Sequence, residues 1–305
     1  MNGFQRSWQL FKCSLAVIRG NRTLLLFPIA ITLLTCVIAL FFFAPIAFWS
    51  TGHAYSDAAH WQAVAHRWMT WDAGGKHLHV NPAGYALLVT FYLVSTFLAT
   101  FFNVAFYSQI LNALRGQPVS LSGGLRAASD RVGAVLAWSL FTGLVGLLIK
   151  TLEERVGIVG RWIVRLIGVA WSVASVFAVP VIVLGEPTVN PVSVLKSSAS
   201  LLRRTWGESL IGFIGIRIGG LIALIGSVVL LGLGITLAVV LKSVVTAVLT
   251  FCLWVIALIA FMYLMNVASQ VYLGALYLYA SQGAAPGPFA EDQMHAAWKV
   301  KGGQV

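Results

Sequence analysis

Charge is what this sequence has least of. Only 10% of its 305 residues are Asp, Glu, Lys or Arg, against about 25% in a soluble domain. Acidic residues are the scarcer sign, nine in all, and they fall in loops or at the ends of apolar runs. Intramembrane proteolysis by paired aspartates and proton coupling through a buried carboxylate both need acids at depth, and both are disfavoured. Cysteine is nearly missing too. Cys13, Cys36 and Cys252 form no C-x-x-C pair, which excludes a disulfide framework and a zinc knuckle. The chain has no H-E-x-x-H, no G-x-S-x-G and no G-x-x-x-x-G-K-[ST], so metalloprotease, hydrolase and phosphate-loop chemistry have no motif to rest on. The expectation is a protein that is not an enzyme and carries no cofactor.

What the chain does have is apolar length. It is 59% hydrophobic, with mean hydropathy +0.88. Apolar runs at 24–49, 83–111, 132–149, 162–184, 209–240 and 244–279 predict six transmembrane helices. The fold class is therefore all-α, a single integral membrane domain over 1–305 with a long polar loop at 50–82 and a polar tail at 281–305. The first run, ~26 residues, exceeds the about 7–15 of a signal peptide core and is expected to stay. Pro180 is expected to bend the end of the fourth span. KTLEERVGIVGR, from Lys150, reads as a short turn, and the sixth run is too long for one straight crossing.

The net charge of +11 lies beside the spans, as membrane topology and anionic headgroups require, and nucleic acid is not an expected partner. Arg6, Lys12, Arg19, Arg22, Arg115, Arg126, Arg131, Lys196, Arg203, Arg204, Lys299 and Lys301 fall on one side; the other holds Arg67, Lys76, Lys150, Arg155, Arg161 and Lys242. The positive-inside rule then predicts a multi-pass protein of the cell (inner) membrane with both termini cytoplasmic.

Basic amphipathic segments precede the first, third and fifth spans. Phe4, Trp8, Phe11, Leu15 and Ile18 share a helical face, as do Leu121, Leu125, Ala128 and Val132, and again Val192, Leu195, Ala199, Leu202 and Trp206. Each reads as a helix lying along the membrane surface. The layout is three units of amphipathic helix plus helical hairpin. FNVAFYSQILNAL from Phe102 and MNVASQVYLGAL from Met265 share wording at the ends of units one and three.

The segments RSWQLFKCSLAVIRGNRTLLLFP, AWSVASVFAVPVIVLGEPTVNPVSVLKSSASLLRRTWGE and ALYLYASQGAAPGPF resemble a family of six-span prokaryotic integral membrane proteins that carries a domain-of-unknown-function label. In style the chain is distantly similar to the membrane domain fused to some glycerophosphodiester phosphodiesterases. The resemblance implies the architecture and brings no catalytic or ligand residues with it.

Three constellations are candidates for chemistry. If 54–70 is helical, His53, Asp57 and His60 share a face, and His77 and His79 could join them as metal ligands. Against that reading, the same loop carries Trp61, Trp68 and Trp71 and suits an interfacial helix with solvated histidines. Lys196, Arg203 and Arg204, with Ser197, Ser198 and Ser200, make a basic, hydroxyl-rich surface for lipid phosphates. Arg217, Asn103 and Asn266 fall at depth within spans five, two and six and are expected to meet as an intramembrane polar cluster, with Gln109 and Gln270 nearer the cytoplasmic mouth. Gly215-x-x-x-Gly219 permits close helix contact, inside the chain or at a homo-oligomer seam. The function these features point to is an accessory or scaffolding membrane protein that interacts with anionic lipids. The alternative is a transporter or channel for a small anionic solute.

Overall fold

The computed structural model describes residues 3–71, 78–185, 190–205, 209–283 and 286–289, with side chains for 9–69, 80–185, 190–203, 224–283 and 286–289. Unit one holds α1 (Gly3–Gly20), a 3₁₀ turn (Arg22–Leu25), α2 (Leu26–Ala47), α3 (Ala58–Trp68), a short antiparallel pair β1 (Met69–Trp71) and β2 (Leu78–Val80), and α4 (Pro82–Leu114). Unit two holds α5 (Leu121–Ser129), α6 (Val132–Arg155), α7 (Ile158–Ala174) and α8 (Ala178–Leu184). Unit three holds α9 (Pro191–Thr205), α10 (Ser209–Val240) and α11 (Val244–Gln282). Five stretches are long and apolar enough to cross a membrane, and the described apolar part of a sixth, in α10, runs Leu224–Val240. The chain is an all-α polytopic membrane protein.

The longest helices start and stop on clear signals. Asn81 caps α4 by accepting from Gly84 N at 2.6 Å, with Pro82 at the first helical position. Ser243 caps α11, its Oγ accepting from Thr246 N at 3.3 Å, and Gly283 ends it at φ +72°. Between α10 and α11, Lys242 sits at φ +49°, so the tight turn expected there is left-handed.

Length decides how these helices are used. The 39 residues of α11 span ~58 Å at ~1.5 Å per residue, while the hydrocarbon layer is ~30 Å thick. From Val244 to Leu264 no side chain is buried; from Val267 to Tyr279 only Gln270 is less than buried. On α4, Tyr85, Leu88 and Val89 are exposed, and every side chain from Val104 to Leu111 is buried. The lipid-facing part of each helix is thus roughly 20 residues, ~30 Å. The shared wording Asn103-Val104-Ala105 and Asn266-Val267-Ala268 marks the point where each passes from exposure to burial.

The basic helices cover those overlong ends. Leu10, Val17 and Ile18 of α1, Ala128 of α5, and Val194 and Leu202 of α9 are at most 4% exposed and belong to one core with the ends of α4 and α11. Their apolar faces therefore rest on protein rather than on lipid. The centres of the faces also differ from the sequence reading. Val192 and Val132 are exposed, while Ser14 and Ser198 are buried. The packing is cyclic. α5 lies on α4 of the unit before it, α9 on α8 of the unit before it, and α1 on α10 and α11 of the last unit.

Three boundaries depart from or sharpen the expectation. Helix persists through most of 150–161, leaving only Val156 and Gly157 between α6 and α7, and Arg165 Nε reaches back to Glu153 Oε1 at 2.8 Å. The fourth span breaks at Ser175–Phe177, just before Pro180, the residue expected to bend it. Proline lacks the N–H that would bond to the carbonyl four residues back, and its ring crowds that carbonyl, here Val176. The last turn of α7 tightens as Val176 N takes Val173 O at 3.3 Å, and the Phe177 N–H left open there donates to Ser198 Oγ at 3.0 Å, so a serine of α9 closes the break. In the loop, the helix begins at Ala58 with Asp57 as its cap, so a helix over 54–70 does not form.

Phe27 is where three elements lock. It is fully buried, stacks on Phe106 with centroids 5.5 Å apart, and fills the space left by Gly124, where a Cβ would stand 2.7 Å from its ring. Phe27→Ala should lower stability by about 3–5 kcal/mol, read as a depressed melting temperature in detergent. Ser198→Ala strands the Phe177 N–H and should cost about 1–3 kcal/mol in the same measurement.

Candidate functional site

The end of the bundle where α1, α5 and α9 gather holds a cavity of about 370 Å³ between the last turn of α4, α5, the start of α6 and the end of α8. Its polar wall is built by backbone caps. Ser120 caps α5 by accepting from Gly123 N at 3.0 Å, and its own N–H donates to Gln109 Oε1 at 2.9 Å. Gln109 is 2% exposed and its Nε2 donates to Ser108 Oγ at 3.2 Å. These bonds fix where α5 leaves α4.

Two arginines charge the cavity. Arg131 Nη1 donates to Ile182 O at 2.9 Å and to Gly185 O, the open carbonyls at the end of α8. A cation there also meets the negative end of the helix dipole. Arg115, the residue ending α4, lines the same cavity and is exposed. Asp130 is the acid on the wall, so the three charged linings sum to about one positive charge. A wall of guanidinium, amide and hydroxyl groups around ~370 Å³ can take a singly charged phosphate ester, which arginine recognises through paired N–H donors.

The sequence-predicted residues are distributed otherwise. Lys196 and Arg203 are exposed on α9, as a headgroup surface requires, but Ser198 is fully buried and belongs to the α7–α8 break. The side chain of Arg204 lies outside the described residues. So does that of Arg217, with Gly215 and Gly219. Asn103 is half-buried and Asn266 is exposed at the lipid-to-protein transition of α11, so Asn266 does not turn into the bundle. Gln270 accepts from Tyr107 OH and ties α11 to α4.

His53, Asp57 and His60 are not gathered as ligands. His53 and Asp57 are exposed, and Asp57 Oδ1 accepts from Ala59 N at 3.0 Å. His60 is fully buried, with Nδ1 at 2.7 Å from Thr51 Oγ1 and Nε2 at 3.1 Å from Ala47 O. Both ring nitrogens are spent on pinning α3 to the end of α2. His77 and the side chain of His79 lie outside the described residues, and among the described residues no three His, Cys, Asp or Glu come together. The Cys13 thiol is pushed up by burial, which holds it as the unreactive thiol.

Sequence reasoning counted Arg115 and Arg131 only toward orientation. The signal that could have found the cavity was Ser108-Gln109 followed by the serine cap and glycine pair Ser120 and Gly123-Gly124. A glutamine in an apolar helix eleven residues before a serine N-cap is a polar group that needs a partner.

Residues 82–287 match a family of unknown function, DUF6159, and the chain belongs to that family. No curated protein matches the chain, and no solved structure does. The matched region takes in α4, both walls of the cavity and the whole of α11, while α1 to β2 precede it.

His60→Ala should lower the melting temperature by roughly 1–3 kcal/mol of stability, since it removes two ties at once. Zinc added to the wild-type protein should leave that temperature unchanged. A zinc-dependent rise that His60→Ala abolishes would restore the metal reading.

Proposed function

We propose that the protein is a non-enzymatic accessory or scaffolding component of the cell membrane, with both termini in the cytoplasm, that holds an anionic phospholipid by its phosphate at the basic end of the bundle. The observation that carries this is the cavity lined by Arg115, Arg131 and the buried amide of Gln109. It opens at the end where Lys196 and Arg203 are exposed on α9. The apolar faces of α1, α5 and α9 are spent on the protein core, so the pull on lipid at this end is electrostatic and directed at headgroups.

Basic residues near an anionic surface contribute about 1 kcal/mol each. Arg115→Gln with Arg203→Gln should therefore weaken retention of phosphatidylglycerol by roughly 20–30-fold, if the two contributions add. Native mass spectrometry of the purified protein reads this directly. Arg131 is left intact because it also closes α8. Unchanged lipid occupancy would sink the reading. Arginine-dependent flux of a small anion in proteoliposomes would give the function to transport instead.

A further inference from the structure

Among the described residues three buried side-chain polar atoms have no hydrogen-bond partner: Trp68 Nε1, Ser95 Oγ and Tyr272 OH. Of these, Trp68 lines a second cavity, about 310 Å³, at the end of the bundle opposite α5 and α9. Phe43 and Ile46 of α2 and Leu88 of α4 form its sides, and Val64 of α3 and Val80 of β2 complete an almost wholly apolar wall. Phe43 and Leu88 are 39% and 44% exposed, so the mouth opens on the flank where two spans meet the bilayer. Gly84 sets how closely α4 approaches β2 and α3: a Cβ there would stand 2.8 Å from Val80 Cγ1 and 3.5 Å from Trp68 Cε3.

A cation stands beside it. Arg67, next to Trp68 in the chain, is exposed and holds its guanidinium 4.1 Å over the Trp49 ring. The ion pair found among the described residues is Arg165 with Glu153, so no described carboxylate claims Arg67. Tryptophan and arginine at the ends of spans sit at headgroup level.

We infer that this cavity takes one acyl chain of a phospholipid from the leaflet at this end, with Arg67 on the phosphate. Water does not suit the space, since a buried water needs two to four polar partners and this wall is almost wholly apolar. At the small end of the ligand-pocket range of roughly 300–1,000 Å³, the cavity admits a chain but not a whole lipid. The headgroup stays at the interface, where Arg67 meets it. This site does not rest on the basic-end cavity, and its lipid need carry no net charge.

The test uses the full chain, delipidated in detergent and titrated with dioleoyl phosphatidylcholine, with bound lipid counted by native mass spectrometry. Wild type should retain one phosphatidylcholine that Ala65→Leu, which fills the cavity, does not. Arg67→Gln should weaken retention roughly fivefold through the lost phosphate contact. If Ala65→Leu melts early, Arg67→Gln, whose side chain is exposed, carries the test. Equal occupancy in wild type and the variants would overturn the inference. So would methyl oleate, which has the chain and no phosphate, binding as tightly as the phospholipid and indifferently to Arg67→Gln, since the occupant would then be a small apolar molecule.

Discussion

The structure depends on one mismatch, between a bilayer about 30 Å thick and two helices that outrun it. α4 and α11 leave the lipid with their surfaces still apolar and aromatic: Phe106, Tyr107, Ile110 and Leu111 on one, Tyr272, Leu276 and Tyr279 on the other. Beyond the hydrocarbon layer such a surface would meet water, at a cost of about 25 cal/mol for each Å² left uncovered. Covering it from within the chain takes helices apolar on one side and polar on the other. That is the composition α1, α5 and α9 have, and it is why they are amphipathic. Their basic faces follow from the same requirement, because whatever covers a helix end beside a membrane also faces headgroups.

The cover closes on itself. Each short helix lies on the returning helix of the preceding unit, and the first lies on the last. Each unit's cover is shared with another, although α9 also touches α11 of its own unit, so the three hairpins pack as one. Phe27 and Ser198 show how finely the joints are set. The first is an aromatic ring seated where a glycine leaves space for it, the second a hydroxyl spent on a backbone N–H left open where α7 breaks from α8. A side effect of the closure is the basic-end cavity. It lies where α5 must turn away from α4, and its polar wall is the hydrogen bonding that makes the turn.

The architecture was legible in the sequence because it follows from long-range composition. Apolar runs, basic flanks and the overlong sixth span each report a bulk property, and the helices match them. What was not legible follows from which side of a helix meets protein. In α9 the sequence pattern centres the apolar face on Leu195 and Ala199, yet burial centres on Val194, Ser198 and Leu202. A buried serine looks polar until its partner, Phe177 N, is known. The histidine loop failed in the same way. Spacing of three and four residues is meaningful only if the helix runs through it, and Asp57 caps the helix at that point. His60 then proves to be a tie between α2 and α3, its nitrogens taken by neighbours nine and thirteen residues back. Arg115 and Arg131 could be counted from sequence, but their convergence comes only from the cyclic packing.

The fate of the polar side chains within the spans bears on which functions this fold suits. Thr90, Thr96 and Thr100 of α4, and Ser139 and Thr142 of α6, all donate to carbonyls three or four residues back in their own helices. Trp254 donates to Ser227 O across α10 and α11, and Tyr92 to Gly143 O across α4 and α6. Gln270 is taken up by Tyr107. These bonds satisfy groups that would otherwise be stranded in hydrocarbon, and in doing so they leave little along the described part of the spans to replace the hydration shell of a solute. Polar groups with capacity to spare stand instead at the two ends: Arg115 beside the cap of α5, and Arg67 in the last turn of α3. Interior polarity spent on ties within and between helices, with cations kept at the interfaces, is the arrangement that the proposed binding of lipid headgroups calls for.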